Sequence, residues 1–140
     1  MASVKPLGEA GPEAVIDGLK WPMANGFHQW RSDPREGLPQ WLAVEFAQAV
    51  AVNTVYLTFD TNIYGRFPTA QPGAEATARD YRVLAQVAGE WREVVRAAGN
   101  WQRFRRHRFP EVTATALKLE ITAATPRAEA RVYELRAYRE

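Results

Sequence analysis

The sequence predicts an all-β protein folded as one antiparallel β-sandwich. Apolar side chains recur at every second position in short runs rich in β-branched and aromatic residues. Gly, Pro, Asn and Asp punctuate the intervals between those runs. No long helical period competes with them, and about seven or eight short strands are expected.

Residues 1–12, with Pro6, Gly8, Gly11 and Pro12, read as an irregular lead-in, and residues 13–140 as a single domain. Asp17 to Pro39 is turn-rich yet carries Trp21, Phe27, His28 and Trp30, so this loop is expected to be pinned to the body. Trp41–Phe46 alternates, with Leu42, Val44 and Phe46 on one face. After a short break at Ala47–Ala51, too brief for a helix between two strands, Val55, Leu57 and Phe59 share a face. A second loop runs from Thr61 to Ala78. Tyr81–Val87 and Trp91–Val95 read as a hairpin turning at Ala88-Gly89-Glu90. Gly99-Asn100 marks another turn. Trp101–Phe109 alternates basic and aromatic residues up to Pro110, which reads as its stop. Ala116–Thr122 is the clearest amphipathic strand, and Arg131–Tyr138 is the last.

At 140 residues the chain suits one domain with a sizeable core. With no cysteine it has no disulfide framework, no cysteine-bound zinc and no thiol catalysis. No apolar run approaches the ~18–20 residues of a membrane-spanning helix. The opening MASVKPLGEAGP lacks the apolar stretch of a signal peptide. The net charge is only +2, so the chain is no polycation. Among its 18 basic residues Arg far outnumbers Lys, which fits planar, bidentate contacts and equally fits GC-rich codon usage.

Several phrases in order carry a resemblance: Ala14-Val15-Ile16-Asp17-Gly18, Trp30-Arg31-Ser32-Asp33-Pro34, Pro39–Phe46 and Val52–Phe59, then Tyr81-Arg82-Val83, Trp91-Arg92-Glu93-Val94, Asn100, His107-Arg108-Phe109, Ala116–Leu119 and Val132–Tyr138. Together they resemble the discoidin or coagulation-factor C-type family over residues 13–139. That resemblance implies a galactose-binding-like jelly roll, a fold that includes many carbohydrate-binding modules. Phe59–Asn62, Arg79–Arg82 and Gly99–Arg103 are also similar to the C-terminal sandwich domain of some bacterial FAD-dependent oxidoreductases. No Gly-x-Gly-x-x-Gly segment for a dinucleotide is present.

The resemblance implies two candidate sites. A structural calcium would sit where the Ile16-Asp17-Gly18 loop meets the last strand, held by Asp17, Glu134 and carbonyls near Ala14, Leu19 and Tyr133. Calcium takes six to eight oxygens at about 2.3–2.6 Å. Here Leu19 and Pro22 stand where many relatives offer polar side chains. The alternative is that Asp17 caps a turn and Glu134 pairs with a nearby Arg. A sugar site would combine a stacking aromatic with planar donors and acceptors. The loops offer Asp60, Asn62, Tyr64, Arg66, Trp101 and His107 for it, with Trp30 and Arg31 beside them; Trp30 fits equally well packed under its loop, and Trp101 covering the hairpin.

The basic run Trp101–Phe109 could meet phosphates, uronic acids or an acidic surface. On a strand its charges split over two faces, and Glu90, Glu93 and Glu111 are at hand to pair with it. Catalysis has little support, since Ser3 and Ser32 lie in no nucleophile elbow and the only histidines are His28 and His107. The expectation is a non-catalytic carbohydrate-binding accessory module of a larger, exported or surface bacterial protein. It would be monomeric, with carbohydrate or a catalytic domain as partner, no nucleic acid and no membrane. The alternative is an interaction domain packed on a catalytic, FAD-dependent domain, which should show a broad apolar patch. A membrane-binding domain would rest on Phe27 and Phe67 as its spikes.

Overall fold

The structure, a computed structural model, describes residues 11–19, 28–61, 77–125 and 129–140. Pro12–Val15 forms one 3-10 turn that seats the buried Val15. Six strands follow among the described residues: β1 (Trp30–Arg31), β2 (Gln40–Phe59), β3 (Thr77–Val87), β4 (Glu90–Ala97), β5 (Phe104–Thr125) and β6 (Arg131–Tyr138). All pair antiparallel in the order β1-β6-β2-β5-β3-β4.

Two of these strands are far longer than the period-2 runs implied. β2 continues through the alanine-rich break, and β5 continues through Pro110. The expectation of seven or eight short strands is corrected accordingly. Each break in the pattern is an irregularity of pairing rather than an end. Between Glu45 and Val50, β2 advances five residues while β5 advances only two, from Ala116 to Ala114. Between Val52 and Thr54 the excess lies on β5, which runs from Val112 to Arg108. Pro110 falls within that second irregularity, where a missing N–H costs no ladder bond.

These irregularities bend the hydrogen-bonded sheet over on itself. One layer holds β4, β3, the later half of β5 and the start of β2. The other holds the start of β5, the later half of β2, β6 and β1. Leu42, Val83, Leu117, Leu119 and Ile121 from the first face Val55, Leu57, Phe59, Val132 and Leu135 from the second, all in one core. Phe59 and Tyr81 meet across it with ring centroids 5.0 Å apart. Trp30 lies fully buried under its loop. The predicted hairpin is β3–β4, and both of its turn residues have left-handed φ, Ala88 at 51° and Gly89 at 84°, the pattern of a two-residue primed turn.

Candidate functional site

One end of the sandwich collects the ends of several strands. The Phe59 N–H donates to the Arg103 carbonyl at 2.7 Å, and the Thr77 hydroxyl to the Asp60 carbonyl at 3.1 Å. The loop from β4 to β5 is fixed there from within. Gly99, with φ at 66°, turns its N–H onto Asp80 Oδ1 at 2.9 Å. Asn100 is buried and fully engaged. Its Nδ2 donates to the carbonyls of Ala78 (2.9 Å) and Gln102 (3.2 Å), while its Oδ1 accepts from the Gln102 N–H (3.2 Å) and Arg105 Nη1 (2.9 Å). Its own N–H reaches the Arg79 carbonyl at 2.8 Å.

On this tied loop Trp101 stands 70% exposed, the most exposed large apolar side chain among the described residues. Folding gains little from an indole left in water. On a loop already ordered, however, it offers a flat apolar face at low entropic cost. Exposed Gln102 and Arg79 lie close to it in the loop framework. Arg103 donates to the Phe59 carbonyl at 3.3 Å and lies 4.7 Å over the Tyr133 ring.

A buried ionic chain underlies the same end. Arg31 Nη2 donates to Glu129 Oε1 at 2.9 Å, Arg131 Nε to the same oxygen at 3.0 Å, and Arg131 Nη1 to Asp60 Oδ2 at 3.3 Å. Burial pushes the Glu129 carboxyl up, but hydrogen bonds and charge from Arg131 and Arg31 outweigh it and hold it below the usual glutamate range. The Gly99 N–H, with Arg79, likewise holds Asp80 low. Asp60, expected to read sugar hydroxyls, is buried and directed inward at Arg131. The glutamate and the two arginines of this chain carried no local signal, since Arg31 and Glu129 lie 98 residues apart.

No protein-family model and no curated protein matches the chain. Solved structures do match it along its whole length. The family 32 carbohydrate-binding module of C. perfringens NanJ, solved with galactose, superposes with a TM-score of 0.77 at 19% identity, covering 99% of this chain and 91% of that one. The family 32 module of Streptococcus pneumoniae EndoD gives 0.78 at 17% identity, over 100% and 93%. Chitosan-binding module 1 of a Paenibacillus chitosanase/glucanase gives 0.75 at 20% identity, over 99% and 92%. The chain has the discoidin-type, galactose-binding-like fold. The expected sandwich is therefore the observed one.

Within this discoidin-type sandwich the other predicted residues fall as follows. Asn62, Tyr64 and Arg66 lie outside the described residues, as do Phe27 and Phe67. His107 does not join Trp101. It pairs with Val55 in mid-strand and turns inward, so that its Nε2 meets the Tyr81 hydroxyl at 2.7 Å. Burial, then the nearby Arg105, pushes its pKa below the ordinary 6.5, and burial raises that of Tyr81 to about 12. The rest of the basic run alternates as expected. Arg106 and Arg108 point outward and both meet Glu140, whose pKa falls to about 2 through the Tyr56 hydroxyl and these two guanidiniums. Glu111, one of the three acids expected to pair with the run, instead meets Arg139 at 2.7 Å.

Asp17 and Glu134, the expected calcium ligands, both have partners within the chain. Asp17 Oδ1 accepts from the Leu19 N–H at 2.8 Å, and its Oδ2 meets His28 Nδ1 at 2.9 Å. Glu134, almost fully buried, accepts from Arg136 Nε at 2.6 Å. Among the described residues no three His, Asp or Glu side chains converge to hold an ion.

Proposed function

We propose that this chain is a non-catalytic carbohydrate-binding module serving as an accessory to a larger protein. The observation that carries the reading is Trp101, an exposed indole on a loop whose geometry Asn100 and Gly99 fix. Such a surface stacks on the C–H face of a sugar ring, while planar polar groups around it read the hydroxyls. The fold likeness to modules solved with galactose or described as chitosan-binding supports the same reading. The outer faces of both layers support it over a docking domain, because they are interrupted by charge. On one, Arg82 pairs with Glu120 and Lys118 lies 4.3 Å from the Trp91 ring. On the other, Arg106 lies over Tyr56.

The test is a glycan array probed with the purified chain and with Trp101→Ala. A signal on galactosides or on glucosamine oligomers that disappears in the variant is the expected result. A blank array, or a signal that Trp101→Ala leaves intact, overturns the assignment of the site.

A further inference from the structure

One guanidinium at the Trp101 end has no counter-charge among the described residues. Arg105 faces inward from β5, opposite the core residue Leu57 and two residues before His107, and is half-buried. Its only hydrogen bond among the described residues runs from Nη1 to Asn100 Oδ1 at 2.9 Å, and it meets no carboxylate there. The arginines around it differ. Arg106 and Arg108 on the same strand meet Glu140, Arg79 meets Asp80, and Arg131 meets Glu129 and Asp60. These acids are therefore already taken. The neighbours of Arg105 feel its charge. Burial first, then Arg105, holds the His107 pKa below 6.5, and Arg105 opposes the burial that raises that of Tyr81 to about 12.

A guanidinium carries five N–H donors in a planar fork and keeps its charge. Arg105 spends one on Asn100, and none of its nitrogens is both buried and without a partner, so the other donors reach solvent. Asn100 Oδ1 accepts from Arg105 and from the Gln102 N–H, so one carboxamide oxygen ties the fork to the loop that carries Trp101. An oriented fork without a carboxylate of its own suits one supplied by a ligand, taken through two parallel bonds. We propose that Arg105 is the acid-recognising residue of the Trp101 site and that the sugar bound there is a uronic acid. With Trp101 as the stacking surface, the reading on which this inference rests, the pyranose lies on the indole and its carboxylate meets the Arg105 fork. Such a site favours acidic galactosides such as galacturonate over cationic glucosamine oligomers.

The experiment is a calorimetric titration of the purified chain, at low and at high salt, with a galacturonate oligomer, a neutral galactose oligomer of the same length and sodium sulfate. The galacturonate oligomer should bind at least about tenfold more tightly than the neutral one at low salt, the gain expected of hydrogen bonds to a charged group. High salt should narrow that gap. Arg105→Gln should bind both oligomers alike while still binding the neutral one. Equal affinities in wild type, or a preference that survives in Arg105→Gln, overturn the proposal. Sulfate bound as tightly as the galacturonate oligomer marks a free-anion site and overturns it too. The neutral oligomer bound with no preference for the acid removes Arg105 alone, whereas neither oligomer bound removes the Trp101 reading as well, so the two failures are distinct. If Arg105→Gln fails to fold, as a thermal melt reports, Arg105→Lys decides. It keeps the charge without the fork and should retain only part of the preference, and a full preference in that variant overturns the role of the fork.

Discussion

The hydroxyl of Tyr81 and Nε2 of His107 meet at 2.7 Å across the interior, one residue from each layer. Burial keeps the phenol protonated and the imidazole neutral, and the two groups share one hydrogen bond. His107 has a folded pKa below its ordinary 6.5, so the unfolded chain binds the proton more readily. Stability should therefore fall as the pH drops below about 6.5. His107→Gln cannot titrate and should flatten this dependence between pH 7.5 and 5.5, read as melting temperature against pH. Equal slopes for wild type and variant would contradict the half-buried, neutral histidine. Tyr81→Phe should cost about 1 kcal/mol at neutral pH.

Trp101 and Asn100 should separate binding from folding. Trp101→Ala removes an exposed side chain and should leave stability within about 0.5 kcal/mol while abolishing sugar binding. Asn100→Ala strands buried partners and should cost about 1–3 kcal/mol, with binding lost as well because the indole is no longer held. Urea melts beside the glycan array distinguish the two.

Glu129 should govern part of the acid limb. Its folded pKa lies below its ordinary value of 4.5, so its contribution is complete above that value and disappears as the pH falls through the folded pKa. Glu129→Gln leaves Arg31 and Arg131 without their shared carboxylate and should cost about 3–5 kcal/mol at pH 7. It should also shallow the loss of stability below pH 4.5. An unaltered acid limb would show that the ionic chain does not set it.

Leu119 lies at the centre of the core, fully buried. Leu119→Ala should destabilise by about 2–5 kcal/mol in chemical denaturation. A loss under about 0.5 kcal/mol would place this side chain outside the core.

Ala88 holds a φ of 51°, where an L-residue is strained and asparagine is at ease. Ala88→Asn creates the Asn-Gly pair that suits this turn and should stabilise by up to about 1 kcal/mol. A lower melting temperature would speak against the primed turn.

Much of this molecule is legible in its residues. Leu42 and Val44, then Val55, Leu57 and Phe59, then Leu117, Leu119 and Ile121 announce strands because a half-buried strand must alternate. The continuity of β2 and β5 is not legible. Alternation resets wherever one strand gains residues on its partner, and Pro110 reads as a stop until its place in an irregular stretch of pairing is known. The exposure of Trp101 is legible, since an aromatic after Gly-Asn stands on a turn. Asn100 reads as a turn residue and as a point of family resemblance, whereas the way its side chain organises the loop shows only in the structure. Asp60 and His107 were expected among the sugar-reading residues because their residue types suit sugars. Whether such a side chain faces water depends on Arg131 and Tyr81, which are remote in sequence.

The continuous pairing of β2 with β5 also sets an order of events during synthesis. Gln40 is the register partner of Ile121, and both layers of the sandwich hang on this one ladder. Neither layer has its central pair until the ribosome has made nearly the whole domain. The hairpin of β3 and β4 can form early but has nothing to lie against. Contacts this distant along the chain make folding slow, and the emerging polypeptide carries unpaired strand edges until its last third arrives.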